Sequence, residues 1–167
     1  MTFLTRAAVV VLMASLLSAC NQEKTNMIAF INMDELLAES GLLSQENAHM
    51  QLVKAALENG AKIAESRYPE LSPEKAEAAK QSDTQALQLQ WQSEQISARN
   101  AILHEVKDKA IALQKEKQLT AILSSNEALA LDKKSDLTSI LAEQLKSSHV
   151  IFGDLPQVSL KDGKEIR

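Results

Sequence analysis

Cysteine occurs once in this sequence, at Cys20, so no disulfide can form within one chain. Aromatic side chains are almost missing, with Trp91, Tyr68 and three phenylalanines making up the set. Proline and glycine are as scarce, at three and four residues. This composition speaks against a large mixed core and fits helices and coiled coils better. A positive excess is missing too. With 18 Lys and Arg against 22 Asp and Glu the net charge is −4, which leaves no basic face to displace counterions from phosphates and argues against a nucleic-acid partner. No P-loop, glycine-rich fingerprint or Ser-His-Asp arrangement appears, and no cofactor is expected. His104-Glu-Val-Lys-Asp108 has the outline of the zincin helix, but Asp108 stands where the second histidine ligand is required. No metal site follows, and the chain reads as a non-enzyme.

The first apolar run, about eleven residues from Ala7 to Leu17, follows the single positive charge of Arg6. It is too short for a hydrocarbon layer that needs about twenty residues, and its layout is that of an export signal. It ends in Leu17-Ser-Ala-Cys20, which resembles a bacterial lipobox. That resemblance implies a signal peptide over 1–19 and a diacylglyceryl group on Cys20; two or three acyl chains anchor stably where one does not. Asn21 is not the aspartate that marks inner-membrane retention, so the expected address is the periplasmic leaflet of the outer membrane. Residues 20–26 are then a polar tether, and an extended leash of that length reaches about 20 Å.

The chain is richest in helix formers between Ser44 and Lys117, where Ala, Leu, Gln, Glu and Lys dominate and Gly60 is the only glycine. Tyr68-Pro-Glu-Leu-Ser-Pro73 interrupts this stretch near its middle, so 44–117 reads as an antiparallel helical hairpin with its tip near 68–73. Ser72 is the expected N-cap and Pro73 the first helical residue, with Glu74 at the positive end of the dipole. The second helix would be about 65 Å long, more than a chain of this size can bury. Its expected seam is Leu89, Ile96, Leu103 and Ala110 at sevenfold spacing, with Val106 and Leu113 as companions. Ala48, Leu52, Ala55, Ala56 and Ile63 are the expected inner face of the first helix. Trp91 lies off the seam, either as a contact for apolar ligands or packed on the opposite helix. Tyr68 and Leu71 at the tip are likewise open between a local turn cluster and an exposed contact.

A small body flanks the arm. Residues 27–43 read as a buried strand with Ile28, Phe30 and Ile31, then a short helix capped by Asp34 and interrupted at Ser40-Gly41. Residues 118–148 read as two strands joined by a tight turn at Ser125-Asn-Glu127, the first with Ile122 and Leu123 and the second, 128–132, with Leu129 and Leu131. A helix follows, capped by Asp136 and carrying Leu137, Ile140, Leu141 and Leu145. The tail, 149–167, contains Val150-Ile-Phe152 and Val158-Ser-Leu160, either of which pairs as an edge strand or stays loose. His49 and His149 read as solvated. About sixty residues of body without disulfide or metal are marginal for an independent core, so oligomerisation through Ile28, Phe30, Ile31, Ile122, Leu123, Leu129, Leu131, Ile140 and Leu141 is expected. The fold class is α+β, mostly α.

The order of these elements, with Ile-Ala-Phe-Ile-Asn-Met33 at the start and Thr120-Ala-Ile-Leu, Ala128-Leu-Ala-Leu and Asp136-Leu-Thr-Ser-Ile-Leu-Ala-Glu-Gln-Leu-Lys146 at the end, resembles the Skp (OmpH-like) periplasmic chaperones. The resemblance implies a homotrimer with its β body at one end and three hairpins around a cavity. There, unfolded outer-membrane proteins are held without ATP. Four features depart from the family: the lipidation signal, a near-neutral arm in place of a basic one, a first helix shorter than the second, and the added tail. The other reading of the same pattern is an adaptor lipoprotein whose hairpin docks one envelope complex.

Overall fold

A computed structural model describes residues 27–157; Cys20, the signal segment, the tether and the Val158–Leu160 stretch lie outside the described residues. In chain order the elements are β1 (Ile28–Ile31), α1 (Met33–Glu39), α2 (Leu42–Glu65), a single 3-10 turn at Tyr68–Glu70, α3 (Pro73–Glu116), β2 (Ala121–Ser124), further 3-10 turns at Ser125–Glu127 and Lys133–Ser135, and α4 (Thr138–Leu145). The fold is α+β and mostly helical.

β1 and β2 pair in parallel, Ile28 opposite Ala121 through Ile31 opposite Ser124. Strand alternation sends Ala29 and Ile31 into the core and turns Ile28 and Phe30 to the other face, where Leu123 opposite Phe30 is also exposed. On the free side of β1, Phe30 bridges to Asp136, and the Leu137 N–H donates to the Phe30 carbonyl at 2.9 Å. Parallel pairing replaces the hairpin expected from the sequence. No strand forms over 128–132: the chain makes a 3-10 turn at Ser125–Glu127 and runs on irregularly, with Leu129 fully exposed. Met27–Ile31 is the better partner for β2 because its inner face completes the core.

That core gathers Leu36, Leu42, Ile102, Leu113, Leu141 and Leu145, all fully buried, around Ala29, Ile31, Leu37, Val106, Leu137 and Val150. Each large aliphatic side chain so enclosed contributes about 1.5–3 kcal/mol. Ile140 stays 44% exposed, because Leu137, Leu141 and Leu145 take the inward positions of α4. Asp34 does not cap α1. Asn32 does, its Oδ1 accepting from the Asp34 and Glu35 N–H groups at 3.2 and 3.3 Å. Asp136 is not the N-cap of α4 either: Leu137 holds that position without a side-chain bond, and Asp136 one place earlier accepts from the Thr138 N–H at 2.9 Å and from its hydroxyl at 2.6 Å, while that hydroxyl oxygen accepts from Asn32 N–H at 2.9 Å. The bonds to Thr138 hold the Asp136 carboxyl below the ordinary aspartate range.

Two turns set the angle of the arm. Gly41 has φ +79 between α1 and α2, where a side chain would be strained even though the space around it is open. Gln118 has φ +53 just beyond α3; its N–H donates to the Lys115 carbonyl at 3.2 Å and the next N–H, of Leu119, reaches the Gln114 carbonyl at 2.9 Å. This is a Schellman ending with glutamine in the place glycine usually takes.

Candidate functional site

The hairpin of α2 and α3 is the candidate functional region, and its inward line is not the one its heptads suggest. α3 buries Ala98, Ile102, Val106 and Leu113, whereas Leu89, Ile96 and Leu103 are 58%, 64% and 41% exposed. α2 buries Leu42, Glu46, Val53, Leu57, Gly60 and Ala64, and leaves Leu52 and Ile63 outside. The base decides this. Ile102, Val106 and Leu113 belong to the body core, so the rotation of α3 is fixed there, and a continuous helix carries it to the tip. The sevenfold row of Leu89, Ile96 and Leu103 is thereby left on an outer face.

Midway along the arm a groove of about 560 Å³ opens between the helices, lined by Glu46, Met50, Lys54, Trp91, Gln95 and Arg99 among others. Trp91 is half-buried at its wall. Glu46 is only 7% exposed, and its Oε1 accepts from Arg99 Nε at 2.9 Å. Its second oxygen, Oε2, is buried with no hydrogen-bond partner among the described residues. Such a carboxylate calls for a donor. The lining is mostly polar, with Met50 and Trp91 its apolar members, and groove and acceptor together suit a ligand that brings N–H groups.

At the tip the Tyr68 hydroxyl donates to Asp83 Oδ2 at 3.0 Å, and Lys80 Nζ lies 5.8 Å from its ring centroid. Desolvation, then the bond to Asp83, raises the Tyr68 phenol above its ordinary value. Tyr68 is thus part of a turn cluster, and Leu71 beside it is 40% exposed. Ser72 sits at the N-cap of α3, with Pro73 inside, but its side chain makes no capping bond.

Of the residues expected in the body, Ile31 and Leu141 are buried, Phe30 and Ile122 half-buried, and Ile28, Leu123, Leu129, Leu131 and Ile140 exposed within one chain. His104 pairs with Asp108 at 3.2 Å on an exposed helix face, and Glu105 accepts from the Ser148 hydroxyl at 2.6 Å. Among the described residues no His, Cys, Asp and Glu are grouped to hold a metal ion, and no helix is long and apolar enough to cross a membrane. His49 is not solvated as expected but stacks on Phe152. Neither that contact nor the Glu46–Arg99 pair has a local signal, since their partners are 103 and 53 residues apart.

No family model matches the sequence, and no curated protein does. Among solved structures the chain is similar to that of an OmpH-like protein from Caulobacter crescentus, at 13% identity over 81% of this chain and 92% of that one, with a TM-score of 0.36. Likeness at that level fixes neither fold nor role.

Proposed function

We propose that this protein is an ATP-independent periplasmic holdase for unfolded outer-membrane proteins, tethered to the outer membrane through a lipidated Cys20. The observation that carries the reading is the arm. α3 runs 44 residues but buries side chains only from Ala98 onward, and it shows Leu89 and Ile96 to solvent. Separated apolar contacts along a polar arm bind weakly one at a time and strongly in sum, as a holdase needs. Trp91 at the mid-arm groove, with Tyr68 and Leu71 at the tip, are the proposed client contacts. The exposed outer face of the sheet, Ile28 and Leu123, together with Leu129, supports assembly through the body, and the sequence resemblance supports three subunits.

The test is light scattering joined to an aggregation assay. Residues 21–167 are expected to run as a trimer and to delay aggregation of a urea-unfolded outer-membrane barrel. Replacing residues 58–87 by a short Gly-Ser turn should abolish the delay. A monomer that has no effect on the barrel, or full protection by the shortened arm, refutes the holdase. A single stoichiometric partner crosslinked along one arm face, with no effect on unfolded proteins, identifies the adaptor instead. Incorporation of labelled palmitate that is lost in Cys20→Ala tests the anchor.

A further inference from the structure

The stretch after α4 shows how an irregular segment sits on the arm. Gln45 of α2 uses both ends of its amide on one piece of backbone, its Nε2 donating to the Ser148 carbonyl at 2.9 Å and its Oε1 accepting from the Val150 N–H at 3.0 Å. A residue of a neighbouring strand offers the same donor and acceptor. Four residues along α2, His49 stacks on Phe152 with ring centroids 4.4 Å apart and 7° between planes. The side chains alternate, Val150 buried and Phe152 half-buried, His149 and Ile151 outward. The pitches explain the fit. Every second residue of an extended chain advances about 6.6 Å, and four residues of helix advance about 6 Å.

The same line continues along α2 at threes and fours through Leu52, Ala56, Asn59 and Ile63. Leu52 is 57% exposed and Ile63 41%. The chain's own continuation to Gln157 has the length to reach Leu52, about 16 Å over five residues, and yet leaves it open. Asn59, exposed on this line, carries the same amide group as Gln45. We infer that Leu52, Ala56, Asn59 and Ile63 form a seat for an extended segment from another chain, with apolar residues at alternate positions. That is the pattern of an outer-membrane barrel strand, so the occupant rests on the holdase reading. Leu52 to Ile63 spans about 16 Å, enough for five residues of strand.

A fluorescein-labelled peptide of about ten residues, alternating Val or Leu with Thr or Ser, is titrated into residues 21–167 and followed by anisotropy. Leu52→Gln with Ile63→Gln, both at exposed helical positions, is expected to weaken binding at least tenfold, and Asn59→Ala about threefold. Leu103→Gln with Ile111→Gln, exposed near the base of α3 and not among the proposed client contacts, or removal of residues 153–167, should leave it within twofold. No binding by the unaltered chain, an equal loss in the α3 variant, or no loss in the α2 variant overturns the seat. So does a tenfold gain on removing 153–167, which makes the chain's own tail the occupant. Barrel aggregation separates the two readings. If the unaltered chain gives no delay while the peptide still maps to Leu52, the holdase fails and the seat stands; if the α2 variant binds peptide and protects in full, the seat fails and the holdase stands.

Discussion

From Ala98 to Leu113 α3 contributes four buried side chains, and from Pro73 to Ser97 it contributes none. The same helix is thus a core element at its base and a projecting rod packed on α2 beyond. At the base, Ile102, Val106 and Leu113 interlock with Leu36, Leu42 and Leu141. Beyond it, α2 buries Val53 and Leu57 outside the body core, and nearer the tip the two helices meet through the small residues Gly60 and Ala64, with a half-buried Trp91 and the Tyr68–Asp83 bond. Packing thus thins towards the tip, where helix propensity carries more of the stability. Regions held in that way open at lower free energy than a core, and surfaces that take up varied segments come from that end of the range.

The sharpest way to break this comparison is truncation at both ends of the rod. Ile102→Ala should cost about 2–4 kcal/mol in urea unfolding at fixed protein concentration, and Leu89→Ala no more than about 0.5 kcal/mol. Equal costs would mean that the arm is packed along its whole length. Next in size is the pair where the two regions join. Arg99→Met leaves the Glu46 carboxylate buried and unmatched, and because the Arg99 side chain is 45% exposed the expected loss is about 1–2 kcal/mol rather than the larger figure for a dry pair. Adding Glu46→Met should restore much of it, since removing both partners leaves no orphan charge.

A gain is expected where the arm returns to the sheet. Gln118→Gly relieves a left-handed residue and should add up to about 1 kcal/mol, read as a higher urea midpoint with an unchanged slope. The smallest effects are in pH. The folded-state pKa of Asp136 lies below its unfolded value, so its contribution is present above the unfolded value and fades as pH falls through the folded one. Asp136→Asn should flatten part of the acid limb of the stability curve. At the tip the sign reverses. The raised Tyr68 phenol contributes below its unfolded value and loses that contribution as pH rises through the folded one. As the only tyrosine it can be followed by ultraviolet titration, and Tyr68→Phe should cost no more than a few tenths of a kcal/mol.

How much of this was legible follows the range of the interactions. The helical hairpin, the break at Ser40-Gly41 and the turn at Tyr68 are local consequences of propensity, glycine and proline, and the sequence shows them. The inward face of each arm helix is not local. Leu89, Ile96 and Leu103 make a better heptad than Ala98, Ile102 and Val106, but a rotation fixed by body contacts overrides it. The cap of α1 lies two residues before Asp34 because Asn32 and Asp34 are both good caps, and Thr138, 106 residues away, holds Asn32 by its N–H. The parallel sheet had no signal beyond two apolar runs. Alternation then explains why Ile28 and Leu123, two of the five expected body residues that stay exposed, face away from the core.

The parallel pairing of Ile28 with Ala121 has a consequence for how the chain gets to its structure. Neither strand has another strand partner among the described residues, and 89 residues, 32–120, lie between them. Closing a loop of that length as open coil is entropically slow. The intervening residues, however, form α2, a turn and α3, whose contacts are near in sequence and whose helices form in about a microsecond. Once folded back, the hairpin returns its two ends side by side and delivers β1 and β2 to each other. The rod that reaches away from the body is therefore also the jig on which the body is assembled.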